Sequence, residues 1–224
     1  MGPYTKRLFA AALVLPALIS CGTSKPTRLY VLSADTTRPT AVSAQGMSAN
    51  ATRPTAVSAQ GIAIGIGPVT VPRYLDRLQV VTRVANNSLA QAELDQWGGD
   101  LSDNIVRVLA TNLANLLNTD RVSLYPWKTG APVEYQITLD VTRFEHDPDG
   151  SSVLDVFWSL EKPVDGKVIL MRRSSYREGE TTVAAVGSAQ DASHSYDAVA
   201  AAMSRNLETL SRDIAAAIRE RHKS

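Results

Sequence analysis

Cysteine is nearly missing from this chain, with one residue among 224. A single cysteine excludes an intramolecular disulfide framework and any zinc site built on several thiolates. Histidine is almost as scarce. Only His146, His194 and His222 are present, too few for a metal centre assembled from several imidazoles. A surplus of one charge is lacking as well, since 23 Lys and Arg stand against 22 Asp and Glu for a formal charge of +1. Proteins that coat nucleic acid carry a basic excess to neutralise phosphates, so nucleic acid is not an expected partner. Long apolar runs are confined to the amino terminus.

That run, Leu8 to Ile19, follows Lys6 and Arg7 and ends in Leu18-Ile19-Ser20-Cys21-Gly22. A basic start, about a dozen apolar residues and small residues before a cut describe a secretory signal peptide. It is shorter than the roughly 20 residues needed to cross a bilayer. Leu-Ile-Ser-Cys looks like a bacterial lipobox, which makes Cys21 the lipidation site, carrying diacylglyceryl and acyl chains such as palmitate. Several buried acyl chains hold a protein to a membrane far more firmly than one. Residues 1–20 are therefore the leader. The mature chain of 204 residues has a charge of −1, because the leader removes Lys6 and Arg7 and no acid. Gly22 stands where an Asp is the inner-membrane retention signal, which favours the periplasmic face of the outer membrane.

Arg28 to Leu32 reads as a short strand. Residues 37–46, Thr-Arg-Pro-Thr-Ala-Val-Ser-Ala-Gln-Gly, then recur letter for letter at 52–61. Two copies do not make a solenoid, and this small, polar composition cannot bury enough apolar surface to offset ordering. Residues 21–60 are expected to form an acylated amino terminus, a short strand and a flexible duplicated linker or loop. Twenty-eight flexible residues (33–60) would reach about 30 Å; if residues 28–32 join the sheet, the usable tether shrinks to residues 22–27. Sequence alone leaves both open.

Residues 61–224 hold the folded domain. Ile62, Ile64, Ile66, Val69 and Val71 and then Leu78 to Val84 are strand-like, with a turn at Asn86-Asn87. Gly61, Gly65 and Gly67 do not form a dinucleotide loop, because Pro68 and Pro72 stand where the phosphate-binding helix should begin; they mark a glycine-interrupted strand. Leu101, Ile105, Val108, Leu109, Leu113, Leu116 and Leu117 define one face of a helix capped by Asp100 or Ser102 and ended by Asn118-Thr119-Asp120. After a strand at Val122 to Tyr125, a meander follows: Tyr135 to Val141, Leu154 to Leu160, and Val168 to Arg177, joined by turns at Asp147-Pro148-Asp149-Gly150 and Asp165-Gly166. A last helix, starting after Ser193 or Ser195, carries the stripe Val199, Met203, Leu207, Leu210, Ile214, Ala217 and Ile218. That stripe is read as core, with a coiled-coil seam as its alternative. The fold class is α+β, an antiparallel sheet with two main helices packed on one face.

Catalytic motifs are not found. His146, Asp147 and Asp149 suggest a metal site, but Pro148 and Gly150 make the segment a turn with two exposed acids, and calcium loops supply more oxygens. No Gly-x-Ser-x-Gly elbow occurs. No catalytic residue, metal or cofactor is assigned. Arg172, Arg173 and Arg177 form a basic patch on one strand, either a solvated edge or a contact for anionic headgroups or an acidic partner.

The order of landmarks resembles the ABC-type transport auxiliary lipoprotein family, the PqiC/YmbA-like proteins. The residues that carry the likeness are the lipobox at Cys21, Tyr30-Val31-Leu32, and Gly67-Pro68-Val69-Thr70-Val71-Pro72-Arg73-Tyr74-Leu75-Asp76-Arg77. Further on come Trp97, Arg107 to Leu113, Tyr125-Pro126-Trp127, Phe144-Glu145 and Tyr196. The resemblance implies a non-enzymatic outer-membrane lipoprotein that works with an ABC permease and ATPase and a periplasmic MCE-domain protein. Lipid movement and envelope integrity would be the task, with phospholipid a further contact and a homo-oligomer compatible with it. Pro68, Pro72, Tyr74, Leu75, Trp97, Pro126, Trp127, Arg172 and Arg173 are the candidate partner-binding residues. An outer-membrane assembly lipoprotein or an activator of a cell-wall synthase is the alternative of a different class.

Overall fold

The computed structural model describes residues 26–34, 61–127, 133–179 and 189–223, with the backbone alone in 189–195. The leader, Cys21 and most of the duplicated segment thus lie outside the described residues.

Ten elements are present among them. In chain order they are β1 (Arg28–Tyr30), β2 (Ile64–Thr70), β3 (Gln79–Ala85), β4 (Ser88–Trp97), α1 (Leu101–Leu117), β5 (Val122–Leu124), β6 (Tyr135–His146), β7 (Ser152–Lys162), β8 (Lys167–Glu178) and α2 (Ala189–His222). The fold is α+β, as the sequence indicates, but the sheet is mixed and not purely antiparallel. One path through it runs β1-β4-β3-β6-β2-β5, and β7 and β8 continue from the other edge of β6. The β3–β4 hairpin and the β6–β7–β8 meander are antiparallel. In contrast, β1 lies parallel to β4, and β2 lies parallel to both β5 and β6. Parallel partners are joined by long excursions of chain, which no local turn signal announces. Because β1 is in the sheet, residues 33–60 connect two of its strands, and a tether from Cys21 would comprise residues 22–27.

Alternation along β6 sends Tyr135, Ile137, Leu139 and Val141 to a face where they are buried. The opposite positions Gln136, Thr138 and Asp140 are less buried or exposed. The register slips between Val141 and Arg143, which is the effect of a bulge: one extra residue resets which side chains point where. Beyond it Phe144 joins the apolar face, opposite Leu154, and Arg143 and Glu145 fall on the reverse face.

Both helices cover the apolar face. In α1, Leu101, Ile105, Val108, Leu109 and Leu113 are buried. Asp100 occupies the N-cap with extended backbone but makes no side-chain capping bond, and Asn118 closes the helix in the left-handed region at φ 50°. Its amide, like that of Thr119, returns to the Ala114 carbonyl, as left-handed caps do. The second helix begins at Ala189, ahead of Ser193 and Ser195, so neither serine is its cap. Its whole stripe from Val199 to Ile218 is buried, which settles the stripe as core. The two helices also share a polar contact, Asn112 Nδ2 donating to Ser211 Oγ at 3.3 Å.

Leu207 is fully buried in that stripe. Leu207→Ala is expected to cost about 2–5 kcal/mol of domain stability, read as a lower urea midpoint with the oligomeric state unchanged. A helix seam between copies would instead show as a change in association.

Candidate partner-docking site

The predicted contact residues separate into a surface group, a core group and an edge group. The surface group is built on two glycines. In β2 the alternate residues Ile64 and Ile66 point into the core and are fully buried, so Gly65 and Gly67 present a bare strand on the reverse face. Trp127 fills that space. A Cβ on Gly65 would stand 2.7 Å from Trp127 Cη2 and 2.9 Å from Val133, and one on Gly67, whose φ is 113°, would stand 2.7 Å from Tyr125 Cβ. Glycine at both positions is what lets the Tyr125-Pro126-Trp127 segment lie down on the sheet. The two rings meet edge to face with centroids 5.6 Å apart, a favourable aromatic geometry. Tyr125 is 54% exposed, and Pro68 and Pro126 are exposed beside it. This aromatic platform sits where β2 meets β5, the last strand of the path. Sequence reasoning picked Pro68, Pro126 and Trp127 and missed Tyr125. The available signal was two glycines at a spacing of two, which empties one face of a strand.

Pro72, Tyr74 and Leu75 lie in the connection from β2 to β3, where the Leu75 and Asp76 amides return to the Pro72 carbonyl at 2.8 and 3.2 Å. Leu75 is buried and Tyr74 half-buried. Tyr74 donates its hydroxyl to Glu145 Oε2 at 2.7 Å. Burial and the adjacent carboxylate push the tyrosine pKa up and keep it a donor. Trp97 is also a core residue, 4% exposed, with its amide bonded to the Leu78 carbonyl at 2.6 Å. Leu75 and Trp97 are thus placed inside the domain, and not where a partner would meet them.

Arg172 and Arg173 do not form one patch. Arg172 is opposite Trp158 and Arg173 opposite Phe157 in the β7–β8 register. Trp158 is buried on the helix face and Phe157 exposed on the reverse face, so the two guanidiniums leave the strand on opposite sides. Arg173 stands 5.8 Å from the Phe157 ring centre.

Glu145 is the centre of a network that the sequence did not reveal. Its side chain is fully buried, yet it accepts from Arg83 Nε at 2.7 Å, Arg143 Nε at 2.8 Å and Tyr74 Oη at 2.7 Å. Burial works to raise its pKa, but the hydrogen bonds from Arg143, Tyr74 and Arg83 outweigh burial and leave it below the usual carboxylate range. Asp147, expected to be exposed, is 8% exposed. It is held by Arg143 and by Arg177 at 3.1 Å. Asp149 is the exposed acid of the turn, paired with Arg177 at 2.7 Å. Oxygens so committed to guanidiniums are not an arrangement that suits a cation. His146 points the other way, into the core; both its ring nitrogens lack a partner, as do Ser152 Oγ and Asn206 Oδ1 nearby. Burial depresses its pKa, with Asp147 and Asp149 opposing.

Residues 46–215, more than half of the chain, match the family model described as ABC-type transport auxiliary lipoprotein component. The chain belongs to that family. Among solved structures, the lipoprotein is similar to an uncharacterised protein at 18% identity, covering 87% of this chain and 99% of the other with a TM-score of 0.61. It is also similar to a Xanthomonas campestris protein of the DUF330 family at 13% identity, covering 88% of this chain and 100% of that one with a TM-score of 0.57. At such identities the likeness is one of fold. A comparison with curated proteins returns no match. No helix among the described residues of the lipoprotein is long and apolar enough to cross a membrane.

Two pH effects follow. Glu145 has a lowered pKa in the folded state, so its contribution is present above the ordinary value of 4.5 and is lost as pH falls through the folded value. Glu145→Gln removes the buried negative charge that Arg83 and Arg143 share, leaving Asp147 as their common carboxylate, and should cost about 3 kcal/mol at pH 7. In urea titrations the gap from wild type should close below pH 4.5. His146 behaves in the opposite range. Its folded pKa lies below 6.5, so the unfolded chain takes up the proton first and stability drops as pH falls below that value. In His146→Leu, the urea midpoint should stay flat between pH 7 and 5.5 where the wild type declines.

Proposed function

We propose that this lipoprotein is the outer-membrane-anchored periplasmic component of an MCE/ABC-type lipid transport system, tethered through acylated Cys21. It docks on the periplasmic MCE protein and supports envelope integrity without catalysing a reaction. The family supports the transport part of this reading. The observation that carries the docking part is the platform of Tyr125, Pro126, Trp127 and Pro68. It is aromatic, seated on glycines and partly exposed, and rigid aromatic groups dominate the energetics of protein interfaces. It also lies at the β5 end of the strand path, with β1 and the tether at the other end. Both β2 and β3 pair with the edge of β6 that β7 leaves open, so β5 and β1 end two separate arms of the sheet. An anchor on the arm that ends in β1 leaves the platform, on the other arm, free to meet a partner.

A photo-crosslinking residue replacing Tyr125 in cells is expected to yield an adduct with an MCE-domain protein, and the same residue replacing Val164 is not. Tyr125→Ala should weaken that association at least tenfold, a typical loss for a central aromatic. Adducts with a cell-wall synthase or a β-barrel would favour the alternative reading, and equal adducts from both positions would remove the platform from the interface. Cys21→Ala should release the folded protein from the membrane fraction.

A further inference from the structure

We infer that the end of the domain carrying β1 rests on the bilayer, with Leu29 and Val31 entering the lipid headgroup region as a second, apolar contact besides the acyl chains. This rests on the reading of Cys21 as the acylated residue.

The first ground is exposure. Leu29 is 67% and Val31 58% exposed. Their neighbours Tyr30 and Leu32 are buried, so alternation sends the two exposed side chains to the same outer side. Among the described residues β1 pairs only with β4, and its open flank faces α2 across a groove of about 450 Å³ that Leu29, Val31, Ala200 and Ala201 help to line. The alanines keep the helix low there. The two larger side chains of β1 therefore border a hollow and are not covered by the helix.

The second ground is the length of chain. Seven Cα–Cα steps join Cys21 to Arg28, which at full extension span at most about 25 Å. A domain of about 160 residues has a radius of gyration near 15 Å, hence a width of about 40 Å. A tether shorter than the domain's width keeps the tethered end nearest the bilayer. Leu29 and Val31 are the first and third residues after Arg28, at that end.

Charge decides the kind of contact. Arg28 is held by Asp95 at 2.6 Å and Arg205, at the groove, by Glu178 at 3.6 Å. Asp197 and Glu208 line the same groove, so charge there gives no net pull towards anionic headgroups; the apolar pair supplies the attraction, and salt should not abolish the contact. Exposed apolar side chains at a membrane-facing end are suited to the acyl–headgroup boundary.

The sequence makes the test simple, because Cys21 is the sole cysteine and acylation consumes its thiol. The mature, full-length lipoprotein is placed in vesicles of phosphatidylethanolamine and phosphatidylglycerol carrying spin-labelled headgroup-region lipids. Leu29→Cys, Val31→Cys and Val164→Cys are each labelled with an environment-sensitive fluorophore; Val164 is 89% exposed in the β7–β8 turn. Labels at 29 and 31 are expected to shift to the blue and to be quenched at least threefold more than at 164, at both low and high salt. Equal quenching at all three positions, or none at 29 and 31, overturns the bilayer contact while leaving the anchor intact. Quenching that disappears at high salt overturns its apolar character. The parent protein, with no added cysteine, reports on the anchor by itself. If it takes up label, Cys21 is free, and the anchor and the contact built on it both fall.

Discussion

The architecture depends on one buried carboxylate. Strand β3 meets β6 through a single bridge, Thr82 with His146, whereas β6 and β7 pair over nearly their full length. The β1-β4-β3 section is therefore joined to the rest of the sheet by very little ladder. Glu145 supplies much of what the ladder lacks. It binds Arg83 from β3, Arg143 from β6 and Tyr74 from the connection that leads into β3. A fully buried carboxylate is costly to desolvate, and its retention in a folded state requires donors on its oxygens. Three converging donors meet that requirement, and the same bonds fix the angle at which the two sections of the sheet meet.

The bulge in β6 is what places that carboxylate on the reverse face. Without the register shift between Val141 and Arg143, strict alternation from Tyr135 would send Arg143 and Glu145 towards the helices and Phe144 away from them. One inserted residue exchanges them. Phe144 then packs in the core, and the charged pair joins Arg83 and Asp147 on the opposite side. Local polarity and global topology agree only because of this irregularity.

This explains which parts of the molecule were legible in the sequence. The meander, α1 and the stripe of α2 follow from periods of two and 3.6, which depend on burial alone. Strand β4 gave no such signal: Leu89-Ala90-Gln91-Ala92-Glu93-Leu94 has the composition of a helix, and its pairing with β3 and β1 overrides that preference. The parallel pairings and the bulge are properties of distant partners, so no window of residues contains them. Trp97 and Leu75 stand out as letters, yet both are core residues. At the platform the opposite happened. Trp127 was found as a letter, but its seat on Gly65 depends on bare backbone 62 residues earlier in the chain.

These features bear on how an anchored auxiliary protein could hold a partner in place. On the proposed anchoring, a pull from the membrane enters at β1. It passes to β4 through their three-residue pairing and the Arg28–Asp95 ion pair, and then along the hairpin to β3. From β3 two routes lead on: the backbone of residues 71–78 runs directly to β2, and the single Thr82–His146 bridge, reinforced by Arg83, Glu145 and Arg143, leads to β6. Beyond β6 the ladder to β2 is continuous except at its bulge, and the platform on Gly65 and Gly67 is reached. The Glu145 network thus ties the arm that carries β1 to the strand on which the arm that carries the platform is built, and Tyr74 ties the β2–β3 connection into the same joint. A deletion in the duplicated segment would leave this path untouched, because the path runs through the sheet from β1 and bypasses the loop between β1 and β2.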